Sequence, residues 1–376
     1  MSGFVLGADL SGSLALQPSP CQPYHLSMTL SLLTLTCDQL AREFGTRFGK
    51  GAYHAQALYR HVMQQGHWQV ADMGAFARSG DLAHRVQAQL CMASGRITDS
   101  VNEGGTIKFV TTLADGAGIE SVIIPMKGYA TLCVSSQIGC RQGCRFCETA
   151  SMGFVRQLEV EEIVAQVWRA RYVLGHAVRN VVFMGMGEPL DNLANVVQAI
   201  RVMQDQRGLD IPLRRITVST AGRVDGLAEL ARSGLTTLRL AISLNAANDD
   251  LRSRLMPVNK RFGLADLKKA LQDFPLPPKR EFFIEYVMFK GLNAGRTQAQ
   301  ELLSFVQGLP VRINLIGYNP GTHSRFQAPD DADLLAFAGY LRKHGVHTRI
   351  RWSKGRSIMA GCGQLAGKGA GKPPPD

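Results

Sequence analysis

Three cysteines, Cys140, Cys144 and Cys147, stand at the spacing C-x3-C-x2-C in the segment Cys-Arg-Gln-Gly-Cys-Arg-Phe-Cys. Thiolates are the soft ligands that iron–sulfur clusters take, and a tight loop lets three of them converge on one face. A four-iron cluster has four corners, so three thiols leave one iron to an exchangeable ligand. Two other readings compete. A disulfide between such near neighbours leaves an odd thiol behind. Zinc could recruit Cys133 as a fourth ligand, but structural zinc sites usually draw on two C-x2-C pairs and only one is present.

Further positions with chemical potential fall at regular intervals after this loop. Gly185-Met-Gly187-Glu188-Pro189 follows an apolar run. It fails as a dinucleotide fingerprint, because the third glycine is missing, but its glycines admit close approach of a ligand to the backbone and Glu188 supplies a carboxylate. The plain alternative is a turn with an exposed acid. Ser219, Ser243-Leu244-Asn245 and Asn319 supply neutral donors and acceptors suited to ribose hydroxyls and a carboxylate. Singly, each reads as a turn residue. Cys362, in Ala-Gly-Cys-Gly-Gln-Leu-Ala-Gly, has glycine on both sides, which predicts a mobile, accessible loop rather than a core position.

These residues need a scaffold that brings them together. Apolar runs at Asn180–Met184, Arg215–Ser219, Thr237–Ser243, Phe282–Phe289, Arg312–Ile316 and Thr348–Trp352 alternate with helix-like stretches at 159–174, 191–205, 224–233, 264–272, 297–307 and 331–343. Such alternation predicts parallel strands with helices packed outside. Counted from Ala130, six or seven units are too few for an eight-fold barrel, so the expected fold is α/β, a partial (β/α)6-type barrel. Chemistry then collects at the carboxyl ends of the strands, where each candidate above falls. Residues 38–100 read as a small helical domain with helices over Ala55–Gln64 and Asp81–Leu90, and Cys37-Asp38 offers a helix start. The expected organisation is an extension at 1–37, a helical domain at 38–100, the barrel at 101–363 and a basic tail at 364–376. Met28 is an alternative start.

The chain has 376 residues and a formal net charge of +12, with 45% apolar residues and a mean hydropathy of −0.03. No uninterrupted apolar run reaches the roughly 18 residues a spanning helix needs, and the first Lys or Arg is Arg42, which argues against a secretory leader. Residues 334–375 carry eight Lys or Arg and no acid. A solvated face is the usual meaning of such a run, but the bias fits a polyanionic partner, and nucleic acid is the simplest. Cys21, Cys37 and Cys91 have no motif company and read as packing residues or free thiols.

The C-x3-C-x2-C loop resembles the signature of the radical S-adenosylmethionine (SAM) superfamily, and Gly-Met-Gly-Glu-Pro resembles its GGEP element. Gly-Thr-Ile-Lys (105–108), Ala-Thr-Leu-Cys-Val-Ser-Ser-Gln (130–137), the cysteine loop and Ala-Gly-Cys-Gly-Gln-Leu-Ala-Gly (360–367) together resemble the RlmN/Cfr family of RNA methyltransferases from about Gly105 to Gly367. That resemblance implies a [4Fe-4S] cluster on Cys140, Cys144 and Cys147, and SAM held by Gly187, Glu188, Ser219, Ser243, Leu244, Asn245 and Asn319. It further implies methylation of an adenine ring carbon, carbon 2, in ribosomal or transfer RNA. Cys362 is first methylated. A radical derived from a second SAM then takes a hydrogen from the S-methyl group, and the resulting carbon joins the adenine. Cys133 resolves the crosslink through a transient disulfide with Cys362, and Glu120 is the proton acceptor. The family also implies a flavodoxin-type reductant; the cysteine usage fits a reducing cytoplasm, the lack of a long apolar run argues against a membrane partner, and a monomer is the default expectation.

Three positions depart from the family pattern. Glu148 stands where a small Ser is usual, Asn245 stands in place of His, and Arg356-Ser357-Ile358 replaces an acidic pair. These leave the machinery intact and bear on substrate identity. Two other classes remain open: a radical SAM enzyme acting on a protein or small metabolite, and a non-catalytic RNA-binding protein carrying a cluster or zinc.

Overall fold

The computed structural model describes residues 29–91, 95–322 and 324–366, so Met28 and most of the expected tail lie outside the described residues. The chain begins with a helical layer of α1 (Cys37–Phe48), α2 (Ala52–Gln65) and α3 (Gly80–Gln89), closed by a short parallel pair, β1 (Leu30–Ser31) and β2 (Leu90–Cys91). Thr36, rather than the expected Cys37-Asp38, caps α1. Its hydroxyl accepts from Gln39 N while Gln39 Oε1 accepts from Thr36 N at 2.7 Å, a reciprocal pairing that a thiol makes poorly. Cys37 is buried instead.

The main sheet has ten strands. The strands β3 (Arg96–Glu103), β4 (Thr106–Thr112) and β5 (Gly118–Met126) form an antiparallel meander that leads into β6 (Tyr129–Cys133). A separate ribbon of β7 (Gln137–Gly139) and β8 (Phe154–Gln157) brackets the cysteine loop, which contains the single turn α4 (Glu148–Ser151). Parallel to β6 run β9 (Val178–Phe183), β10 (Ile216–Thr220), β11 (Arg239–Ser243), β12 (Phe282–Met288), β13 (Val311–Gly317) and β14 (Thr348–Arg351), each beside its predecessor. The connecting helices are α5 (Val160–Tyr172), α6 (Leu193–Gln204), α7 (Val224–Ala231), α8 (Asp249–Leu255), α9 (Leu264–Asp273), α10 (Arg296–Val306) and α11 (Asp331–Lys343).

Seven parallel strands match the expected count of units. All five residues of β10, Ile-Thr-Val-Ser-Thr, are buried, as a strand with helices outside and a filled interior requires. The helix α8 was not anticipated. It is seven residues long and starts where Asn248 Oδ1 accepts from the Asp250 and Leu251 amides.

The helical layer is continuous with the barrel. It packs on α5 and α6, and α5 is therefore buried on two sides: Gln166 turns to the sheet, accepting from Ser121 Oγ at 2.9 Å and Ser135 N at 2.8 Å, while Trp168 and Tyr172 turn to the outer helices. Trp168 Nε1 donates to Val62 O at 3.1 Å, Tyr172 Oη to Met63 O at 2.8 Å and Gln198 Nε2 to Thr34 O at 2.8 Å. One apolar core runs from Leu30 through Phe44 and Phe109 to Leu365. Residues from Arg96 onward, placed with the helices from the sequence, form β3 of the main sheet. No helix among the described residues is long and apolar enough to cross a membrane.

Phe44 has no solvent exposure. Phe44→Ala should therefore destabilise the protein by about 3–5 kcal/mol. Urea unfolding followed by circular dichroism should show one shifted transition rather than separate loss of the helical layer, because the layer shares its core with the barrel.

Candidate active site

The cysteine loop is fixed at both ends by β7 and β8, and Cys140 N donates to Gly153 O at 2.8 Å across that ribbon. Cys140, Cys144 and Cys147 line a cavity of about 160 Å3 beyond the carboxyl ends of β9, β10 and β11. Burial pushes the Cys140 thiol up to about 12 and raises Cys144 and Cys147 too, with the neighbouring sulfurs adding to the shift in each of the first two. Three half-buried thiols on one cavity wall deprotonate readily only around positive charge, which a metal centre supplies.

The rest of this cavity is built from strand ends. Gly187, Glu188, Ser219, Ser243 and Asn245 all line it, as their spacing predicted. Gly187 has φ +98°, and a Cβ there would meet Gln137 N at 2.8 Å and its Cγ at 2.6 Å. Gln137 in turn accepts from Glu188 N at 2.8 Å. The Glu188 carboxylate is buried and accepts from Leu190 N at 3.1 Å and Ala221 N at 2.7 Å, which ties the β9 loop to the β10 loop. Burial raises its pKa, and these donors oppose the shift. The alternative of an exposed turn acid is thus excluded.

Two of the predicted cofactor residues do not reach this wall. Leu244 is fully buried, its amide donating to Glu285 O at 3.0 Å. Asn319 is buried beneath the Cys362 loop, where its Nδ2 would sit 2.7 Å from a Cβ on Gly361, and its Oδ1 has no partner. Asn245 adopts φ +59°, a left-handed conformation that Asn tolerates. Its Oδ1 accepts from Val287 N at 2.9 Å and its Nδ2 donates to Met256 Sδ at 3.2 Å.

The Cys362 loop is pinned, contrary to the mobile loop its glycines predicted. Gln364 is buried and closes the turn, accepting from Gly361 N at 2.9 Å and donating to Pro320 O at 2.8 Å. Glu148 N donates to Gly363 O at 2.7 Å and Thr149 Oγ1 to Leu365 O at 2.6 Å, fastening the loop to α4. Gln364 and Leu365, placed with the tail from the sequence, are integral to it. Cys362 remains accessible through cavities but is surrounded by protein, and that desolvation, reinforced by Glu285, raises its pKa.

A second cavity of about 660 Å3 continues from the first toward the amino ends of the strands. Met184, Glu285, Ile316, Cys362 and Leu365 line both, so Cys362 sits on the partition between them. Cys133 lines only the second, and burial followed by the Cys362 sulfur raises its pKa. Both are free thiols. The outer part carries Arg215, Arg239, Arg312, Arg349, Arg351 and Lys354, with the half-exposed Trp352 beside them. Burial and the nearby Arg280, Arg312 and Arg215 guanidiniums pull Arg239 below its ordinary pKa. Glu120 lies on neither wall. Its Oε1 pairs with Lys108 Nζ at 3.4 Å and its Oε2 accepts from Ala366 N at 3.0 Å.

Sequence reading missed two residues of consequence. Arg252 on α8 is fully buried and donates to Leu244 O, Asn259 Oδ1 and Ala221 O, bracing the loops after β10 and β11. Glu285 carried a legible signal, as the lone acid within the apolar strand Phe282–Met288. Gly187→Ala should cost about 1–3 kcal/mol through the clash with Gln137. It should lower the midpoint of urea unfolding, followed by circular dichroism, accordingly.

A family model described as the radical SAM superfamily matches residues 134–303. A probable dual-specificity RNA methyltransferase RlmN 1 of Protochlamydia amoebophila is 40% identical over 337 residues, covering 89% of this chain and 94% of its own. A dual-specificity RNA methyltransferase RlmN of Geobacter sulfurreducens is 39% identical over 345 residues, covering 90% and 94%. The crystal structure of a radical SAM methyltransferase from Sphaerobacter thermophilus superposes with a TM-score of 0.83 at 33% identity, covering 89% of this chain and 99% of that one. With three cysteines on one cavity, a partial barrel around them and relatives matched nearly end to end, this chain belongs to the RlmN family of radical SAM RNA methyltransferases.

Proposed function

We propose that this RNA methyltransferase modifies carbon 2 of an adenine in ribosomal and/or transfer RNA by way of an S-methylated Cys362. The single observation that carries this reading is the position of Cys362 on the partition between the two cavities, with Cys133 facing it from the second. In this reading Cys140, Cys144 and Cys147 hold the [4Fe-4S] cluster. Gly187, Glu188, Ser219, Ser243 and Asn245 hold SAM directly, while Leu244 and Asn319 support the wall from behind. When bound, the cluster and SAM would supply the methyl group, the one-electron cleavage of a carbon–sulfur bond, the acceptor for the hydrogen atom that leaves the Cys362 methyl group and the sink for the one electron released as product forms.

The chain's own residues do the rest. Cys362 is the nucleophile that receives the methyl carbon, a role that the accessible sulfur in a pinned loop suits. The adenine occupies the second cavity, where the Cys362 carbon joins its ring. Cys133 then attacks the Cys362 sulfur, forming a disulfide and freeing the methylated base. The ring proton passes to Glu120 once the Ala366 amide releases its Oε2. The cationic ring of Arg215, Arg239, Arg312, Arg349 and Lys354 meets RNA phosphates at the open end. A flavodoxin-type reductant, a cytoplasmic location and a monomeric state complete the reading.

Expression of a Cys133→Ala variant, followed by nuclease digestion and mass spectrometry, tests it. A nucleotide adduct on Cys362 is expected, and the attached RNA names the substrate. Cys362 bearing neither methyl nor nucleotide while the cluster is loaded would sink this route and favour a protein or metabolite substrate. Separately, Arg349→Ala and Lys354→Ala should each lower the slope of log affinity against log salt by about 1, measured by RNA binding across a salt series. A salt-independent affinity would exclude phosphate contacts at this mouth.

A further inference from the structure

Glu285 has no role in the reaction as described above, yet it is the one carboxylate that borders both cavities and the Cys362 thiol. It is 6% exposed, and its Oε1 is held by Asn314 Nδ2 at 2.7 Å. Its Oε2 is buried and has no hydrogen-bond partner. A native protein rarely leaves such an acceptor unmet, and an unfilled one on a cavity wall points to a donor that arrives with a ligand.

The carboxylate's surroundings show which ligand. Its two stabilising neighbours, Asn314 and Arg351, both line the second cavity and neither lines the first. Burial raises the pKa of this carboxyl, Arg351 and Asn314 oppose the shift, and both of these groups that favour its ionised form stand on the side of Cys133. Asn314 fixes the plane of the carboxylate, so the free oxygen has a set direction before anything binds.

Resting on the proposed route through Cys362, we infer that Glu285 reads the exocyclic amine of the target adenine, with Oε2 accepting one of its N–H groups. A base brought out of its stack into a protein pocket is commonly identified through hydrogen bonds to its Watson–Crick edge. An acceptor at this point matches the amine of adenine and meets the carbonyl of guanine or hypoxanthine with repulsion. The site thereby selects its base close to the sulfur that reacts with it. Glu285 is in this role a specificity residue that touches substrate.

The test is a cycle between protein and RNA groups. The stem-loop recovered from the Cys133→Ala adduct is synthesised with adenosine, or with purine riboside, which lacks only the amine. Its affinity is measured by fluorescence anisotropy on the cluster-loaded protein without reductant or SAM, so no turnover occurs, for wild type, Glu285→Gln and Glu285→Ala. Wild type should bind the amine-free RNA about 10–100-fold more weakly. Glu285→Ala should bind both RNAs equally, and Glu285→Gln, which keeps an acceptor oxygen, should recover part of the discrimination. A Glu285→Ala protein that still discriminates as wild type does would overturn the inference. So would loss of SAM binding in Glu285→Gln, which would assign the carboxylate to the first cavity. If the Cys133→Ala protein yields no adduct at all, the route through Cys362 itself has failed, an outcome read before any Glu285 variant is made.

Discussion

The set of hydrogen bonds that fastens residues 361–366 is the constraint on which the site depends. Gln364 closes the turn on itself and on Pro320, Glu148 and Thr149 hold its backbone from the cysteine loop, and Ala366 is held by Glu120 from β5. Three separate parts of the chain thus converge on one short segment. A chain bearing glycine on both sides of a nucleophile has much conformational entropy to lose, and these bonds restrict it in advance of substrate. Without them Cys362 would face solvent rather than divide two cavities.

The three departures from the family pattern acquire physical meaning in this setting. Glu148 donates its amide to Gly363, and its side chain lies against Gly321, so the change adds a carboxylate where two loops meet. Asn245 supplies the left-handed turn after β11 and binds β12 through Val287. Ser357 donates its amide and hydroxyl to Glu103 Oε2, at 3.0 and 2.6 Å, anchoring the segment before Cys362 to the end of β3. Each departure has become a structural contact of the loop it occupies.

Much of the architecture was legible because parallel βα units write a strong alternation into the chain, and burial keeps strands such as β12 largely apolar. The cysteines and glycines were legible for a different reason: their chemistry depends on spacing along the chain, which sequence preserves. What escaped was set by contacts across it. Leu244 and Asn319 sit in motifs with the cavity residues, but which side chain faces inward depends on the turn after each strand. Glu120 is close in sequence to Cys133 yet is committed to Lys108. The second cavity was unforeseen because reasoning from barrel folds directs attention to the carboxyl ends of strands, whereas this one opens at their amino ends. Arg239, Arg312 and Arg349 come from three different strands and Arg215 from the turn before a fourth, and no linear pattern announces that they share a rim.

The packing of the helical layer on α5 has a mechanical corollary. The strand β8 closes the cysteine loop and α5 follows it after two residues, with Glu159 capping the helix through Glu162. Because α5 is wedged between sheet and outer helices, a load applied to the outer layer passes through a stiff body into the thiol-bearing loop. The molecule has no compliant joint there to absorb it. The outer helices and the thiol-bearing loop are thus parts of one packed body, joined through a single apolar core.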